Sequence, residues 1–201
     1  MLERLFFLKH SKISPDYQYK GNFSIPFFIT PKLDVTIDNA EDYEIQFTSK
    51  MLIKKDNIHS FIEEIFSKSI RSQISGITGY EYSIDYFKIY RSFFIDYDKL
   101  PFNPREPHFD KCFSQNMLKI FLPLNVNVDS GPLKVYNRSV SSEISNKKIS
   151  DSQEYILITG NGERLYGMNP NLCWHGAGNP KKGSPSLQMF FQLNPASSWR
   201  Y

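Results

Sequence analysis

The sequence predicts a mainly β protein, an antiparallel sandwich or barrel with helices along one flank. Two observations point there. From residue 80 onward, aromatic and β-branched runs alternate with clusters of Gly, Pro, Asn and Asp, the texture of short strands joined by turns. Before that point, one long stretch instead has apolar residues at helical spacing. With 201 residues and 40% hydrophobic content the chain can bury one core, so residues 1–201 are read as a single domain, with a helical and mixed flank over 1–80 and a β core over 81–197.

The opening "MLERLFFLKH" holds only the short apolar run Leu5 to Leu8, shorter than a secretory signal needs, and no run approaches the ~18 apolar residues of a spanning helix. The expectation is a cytoplasmic protein with no membrane partner. In "DNIHSFIEEIFSKSIRSQIS", residues 56–75, Ile58, Phe61, Ile62, Ile65, Phe66 and Ile70 recur every three or four positions, with Asp56 or Asn57 as cap. One amphipathic helix is expected there, with His59 solvated or capping.

Seven strand candidates follow: "YEYSIDYFKIYRSFFIDYD", "NMLKIFLPLNV", "GPLKVYN", "QEYILIT", "RLYGM", "NLCWHG" and "SLQMFFQLN". The polar stretch from 138 to 153 reads as a long exposed loop or lid. Gly131 and Pro132 read as a turn.

Charge argues against one class of partner. Lysine plus arginine is 24 against 21 acidic residues, a net charge of +3, and the basic residues are scattered, so nucleic acid is not expected. Two cysteines, Cys112 and Cys173, lie outside any disulfide-type spacing and read as small core residues in a reducing compartment.

Histidine is scarce: His10, His59, His108 and His175. In "PHFDKCF" the side chains of His108 and Asp110 project to one side of an extended segment while Phe109 points away. His175, in "LCWHGAGNP", lies 65 residues after Asp110 and is a candidate third ligand. Two imidazoles and one carboxylate on one face of an octahedral ion leave three positions open, the arrangement of non-haem Fe(II) oxygenases. Taken alone, the residues also fit a loop ion pair and a core histidine. Alternation turns Trp174 away from the ion, toward outer packing.

Two further segments resemble the phytanoyl-CoA dioxygenase family. They are "NVNVDSGPLKVYNRS", with its acidic turn, Gly-x-Leu and strand, and "WHGAGNPKKGSPSLQMFFQLNP", with its distal His-Gly and final strand. With "HFD" they cover roughly residues 88 to 195 in order. The resemblance implies a double-stranded β-helix (jelly-roll, cupin-like) core with flanking α-helices, and Fe(II) held by His108, Asp110 and His175 as the catalytic and metal residues. It implies 2-oxoglutarate and dioxygen as co-substrates, decarboxylation of 2-oxoglutarate to succinate, and hydroxylation of a small or medium-sized organic substrate. Related halogenases carry a small residue where Asp110 stands, so the carboxylate favours hydroxylation.

The chain departs from the family at one place. About ten or eleven residues after the distal histidine, where the family carries an arginine for the far carboxylate of 2-oxoglutarate, stand Pro185 and Ser186. Gln188 shares that strand face but brings no charge, and Tyr97 lies where some 2-oxoglutarate enzymes offer a phenol. A buried anion needs a cation, which has to come from elsewhere. On "NMLKIFLPL", Leu118, Ile120, Leu122 and Leu124 form one aliphatic face, so Lys119 shares the other with Met117 and Phe121. Lys119 is therefore the expected anchor, ahead of Lys134, Arg138 and Lys182. Co-substrate binding is assigned to Lys119, Tyr97, Ser186 and Gln188. The missing arginine keeps two other readings open, a jelly-roll binding protein that retains the metal face and a cupin-type oxygenase that does not use 2-oxoglutarate. Neither the substrate nor the oligomeric state is fixed by the sequence.

Overall fold

The computed structural model describes residues 12–27, 48–51, 58–96, 106–110 and 114–200. A short helix α1 (Pro15–Lys20) leads into strand β1 (Asn22–Pro26), and β2 spans Thr48–Met51. Helices α2 (Ile58–Ile65) and α3 (Lys68–Thr78) precede the long strand β3 (Glu81–Ser92). Then come β4 (Leu118–Asn125), β5 (Leu133–Tyr136), α4 (Arg138–Ser145), β6 (Tyr155–Ile158), β7 (Arg164–Met168), β8 (His175–Ala177) and β9 (Ser186–Ala196).

All seven strand runs singled out in the sequence contain strands. The helical run differs from expectation, because it is two helices. Ser67 breaks it: its hydroxyl accepts a hydrogen bond from the Ile70 N–H and so caps a new helix rather than continuing the old one. The expected caps Asp56 and Asn57 lie outside the described residues. The stretch from 138 also differs, since it begins as helix α4 with Val140 and Ser141 buried. Val140 gives that helix an apolar side to bury, which the overall polarity of the stretch conceals.

The strands form two antiparallel sheets. The major sheet has six strands in the order β1-β7-β4-β9-β3-β2, and the minor sheet three in the order β6-β5-β8. An isolated antiparallel bridge between His108 and His175 adds the His108 segment beside β8.

The alternation on β4 sets the layers. Leu118, Ile120 and Leu122 are fully buried and pack with Phe191 and Leu193 of β9 against Ile65, Phe66 and Ile74 of the two helices. Phe66 meets Phe191 edge-on, ring centroids 5.0 Å apart. Each such side chain contributes roughly 1.5–3 kcal/mol by leaving water. The opposite face turns Phe121 and Phe190 toward Leu133, Val135 and Ile158 of the minor sheet, a smaller second core. Lys119 and Gln188 share that inward face by register, since Phe121 pairs with Phe190 and Pro123 with Gln188.

A close backbone approach joins the turn before β5 to the end of β8. Gly131 has φ +64°, and a Cβ there would lie 2.4 Å from the Gly178 carbonyl oxygen. Only glycine fits both demands. Through this contact the turn read from Gly131 and Pro132 braces the strand that carries His175.

Candidate metal centre

His175 opens β8 and His108 lies beside it on an extended segment. Their backbones exchange two hydrogen bonds, His108 N–H to the His175 carbonyl at 2.8 Å and His175 N–H to the His108 carbonyl at 3.1 Å. Directly paired residues put their side chains on the same side, and the ring centroids are 4.8 Å apart. Two residues on, the Asp110 N–H is fixed to the Pro170 carbonyl at 2.9 Å, which brings its carboxylate to the same side as His108. One ligand atom from each of the three residues lies within 4.8 Å of the other two. Phe109 points away and meets Trp174 edge-on at 5.1 Å, so both aromatic rings pack outside the cluster as alternation requires.

Hydrogen bonds at the rear of each ring set the tautomers. His108 Nδ1 lies 2.8 Å from the Glu106 carbonyl oxygen and His175 Nδ1 lies 2.8 Å from that of Cys173. A carbonyl can only accept, so each Nδ1 carries a proton and donates it. Both Nε2 atoms then face Asp110 Oδ1, at 3.3 Å from His108 and 3.4 Å from His175. In the neutral imidazoles these nitrogens present lone pairs, and lone pairs aimed at a carboxylate need a cation between them. Metal-binding histidines are oriented in this way.

The site is half open. The side chain of His108 is 57% exposed, that of Asp110 16% and that of His175 4%, so a ligand would reach the cluster from the His108 side. Burial alone would raise the Asp110 pKa. The contact with His175, which donates to the carboxylate only when its Nε2 also carries a proton, and the paired Lys119 ammonium outweigh it and hold the carboxyl well below the usual carboxylate range. Cys173, two residues before His175, is fully buried, and burial pushes its thiol up to about 12. That is the behaviour of a core residue rather than a ligand.

Lys119 points inward, with its ammonium paired to Asp110 Oδ2 and 5.5 Å from the centroid of the Phe190 ring. The other cations named from the sequence are engaged elsewhere. Lys134 pairs with Asp151 at 2.9 Å over the rings of Tyr136 and Tyr155, on the face of β5 opposite the buried Leu133 and Val135. Arg138 donates to the Gln18 carbonyl, and Lys182 sits 5.2 Å from the centroid of the Phe94 ring.

Ser186 and Gln188 are both buried at the start of β9, in register with Ser92 and Tyr90 of β3. The Gln188 amide donates to the Tyr90 hydroxyl, while its Oε1, fully enclosed, has no hydrogen-bond partner. Tyr97 and Cys112 lie outside the described residues. Sequence reasoning passed over Lys88, which is paired in register with Phe190; its ammonium lies 4.8 Å from the Tyr90 ring centroid and 5.8 Å from that of Phe190. The signal was available: in "YFKIY", Tyr86, Lys88 and Tyr90 alternate with Phe87 and Ile89, the same mixed face that singled out Lys119.

No protein-family model matches the chain, and no curated protein is similar to it in sequence. Solved structures are similar in fold. The non-haem α-ketoglutarate-dependent epimerase SnoN from nogalamycin biosynthesis matches with TM-score 0.59 at 12% identity, over 90% of this chain and 80% of that one. EctD from S. alaskensis with bound Fe matches with TM-score 0.58 at 15% identity, over 96% and 82%. HygX from Streptomyces hygroscopicus, with nickel and 2-oxoglutarate bound, matches with TM-score 0.56 at 10% identity, over 92% and 89%. The chain thus has the double-stranded β-helix fold of Fe(II)- and 2-oxoglutarate-dependent oxygenases, with a His-x-Asp and distal His cluster as its candidate facial triad.

Proposed function

We propose that this protein is a member of the phytanoyl-CoA dioxygenase-like family that uses Fe(II), 2-oxoglutarate and dioxygen to hydroxylate a small or medium-sized organic substrate. The observation that carries the reading is the pair of imidazoles whose Nδ1 atoms are both committed to carbonyls, leaving two Nε2 atoms 3.3 and 3.4 Å from one carboxylate oxygen. Two neutral nitrogens and one anionic oxygen on one side suit a divalent first-row ion with open positions. The orphaned Gln188 Oε1 on the inner wall supports a polar ligand nearby.

When bound, the iron supplies dioxygen activation coupled to oxidative decarboxylation of the 2-oxo acid. His108, Asp110 and His175 would hold it. The carbonyls of Glu106 and Cys173 keep the two rings turned, and Lys119 offsets charge on the outer oxygen of Asp110. Phe121 and Phe190 exclude water from the inner wall beside Lys119. A small-molecule substrate is supported by the fold relatives, since EctD has been solved with 5-hydroxyectoine and SnoN with nogalamycin RO. Strands β1 and β2 lie in the same sheet as the later strands, which supports reading 1–201 as one domain.

Anaerobic addition of Fe(II) and 2-oxoglutarate tests the proposal. A weak visible metal-to-ligand charge-transfer band is expected, and admission of air should yield succinate. Metal binding without the band would point instead to an oxygenase that does not use 2-oxoglutarate. Neither metal nor band would leave a binding protein.

A further inference from the structure

Resting on the reading above, we propose that Lys88, with Tyr90 and Gln188 beside it, receives the far carboxylate of the 2-oxo acid, in place of the arginine that this chain lacks on β9. The start of β9 offers that carboxylate no charge, because Ser186 and Gln188 are the buried inward residues there. An anion on this wall therefore needs a cation from a neighbouring strand. Among the described residues, Lys88 of β3 and Lys119 of β4 bring ammonium groups to the Phe190 ring, at 5.8 and 5.5 Å from its centroid.

These two lysines occupy different places. Lys119 is paired to Asp110 at the metal end. Lys88 stands over the Tyr90 ring at 4.8 Å, and Tyr90 is the residue that faces and hydrogen-bonds Gln188. The register that pairs Tyr90 with Gln188 pairs Lys88 with Phe190, two residues further along β9 on the same face, in the direction of Gln192 and its partner Lys119.

Gln188 completes the fit. Its Oε1 has no partner although the residue is only 6% exposed, an arrangement that is unfavourable for as long as it persists. Turning the amide over lets the Tyr90 hydroxyl donate to Oε1 and frees the two Nε2 hydrogens to donate to a carboxylate. The subsite then offers one ammonium and one amide, where a guanidinium would have offered a planar fork.

The test titrates 2-oxoglutarate and pyruvate into the anaerobic Fe(II) protein, reading the charge-transfer band. Pyruvate has the same chelating end and no far carboxylate. For Lys88→Met the dissociation constant of 2-oxoglutarate should rise by about thirtyfold or more, as for loss of a charge-assisted pair, with that of pyruvate unchanged. Lys88→Arg should restore most of the affinity, and Gln188→Glu, which sets a like charge beside the ligand, should lose 2-oxoglutarate selectively. Unchanged 2-oxoglutarate affinity in Lys88→Met overturns the assignment, as does equal weakening of pyruvate. A selective loss in Lys119→Met, with Lys88→Met unaffected, transfers the role to Lys119 and also overturns it. A wild-type protein with no band for either acid defeats the underlying reading itself, and this assignment with it.

Discussion

Asp110 faces two imidazole nitrogens with one oxygen and an ammonium with the other. That division suits a metal ligand, since Lys119 can stay on Oδ2 while Oδ1 serves an ion. Truncation to alanine removes the only anionic donor of the cluster and leaves the strand cores untouched. For Asp110→Ala we expect the charge-transfer band to vanish and succinate formation to fall by at least about 10²-fold, with far-UV circular dichroism unchanged. Loss of the folded spectrum would instead make Asp110 a structural residue. The shared side of His108 and Asp110 was legible at this scale because i, i+2 alternation is a local rule, and so was the inward turn of Lys119; the approach of His175, 65 residues after Asp110, depends on the pairing of β8 with the His108 segment. The destination of the Lys119 ammonium was not, because which atom a long side chain reaches depends on the neighbouring strands. The inward placement of Lys88 was concealed because aromatic residues dominate the sequence of β3.

At the scale of elements, the approach of β8 to the His108 segment depends on Gly176. A Cβ there would lie 2.9 Å from the Pro107 Cα, a backbone atom that cannot swing aside. Gly176→Ala should push the two histidine segments apart and weaken metal binding by about tenfold or more, measured by calorimetry, with the main helix-packed core intact. Unchanged metal affinity would mean that the segment yields without moving His108.

The connection from α4 to β6 is tied down by Asp151. It accepts from the Tyr136 hydroxyl at 2.6 Å, from the Lys134 ammonium at 2.9 Å and from the Ser152 N–H at 2.8 Å. These hydrogen bonds lower the Asp151 pKa to about 2, that of Tyr136 contributing most. A carboxyl whose folded pKa is depressed stabilises the fold above its unfolded value and loses that contribution as pH falls through the folded one. The melting-temperature gap between wild type and Asp151→Asn should therefore be widest above about pH 4 and close as the pH approaches 2. A gap independent of pH would remove the ionic part of the clasp. Of this region the sequence disclosed only the polarity, and helix α4 was hidden because a single buried turn around Val140 leaves little periodicity. The division of α2 from α3 was hidden for another reason, since a serine reads as a cap only once its hydroxyl is seen to accept.

For the whole molecule, the two-sheet architecture was legible because seven strand runs are bounded by turn residues and each sheet buries faces that alternate. Strands β1 and β2 were not, because Asn22–Pro26 and Thr48–Met51 are short and their place is set by pairing with β7 and β3 far along the chain. The metal site joins the segment before β4 to β8, so occupancy should report on global stability. Saturating metal at about 100 times its dissociation constant should stabilise the fold by about 2.7 kcal/mol, several degrees in melting temperature. His175→Ala should abolish that shift. An equal shift in the variant would place the ion elsewhere.

The most direct test of the central claim is a crystal structure of the protein soaked anaerobically with Fe(II) and 2-oxoglutarate, with anomalous scattering recorded at the iron edge. The account predicts one strong anomalous peak bounded by His108 Nε2, His175 Nε2 and an oxygen of Asp110, with the 2-oxo acid chelated on the open side. An iron peak away from these three side chains, or their turning apart with no peak between them, would contradict it.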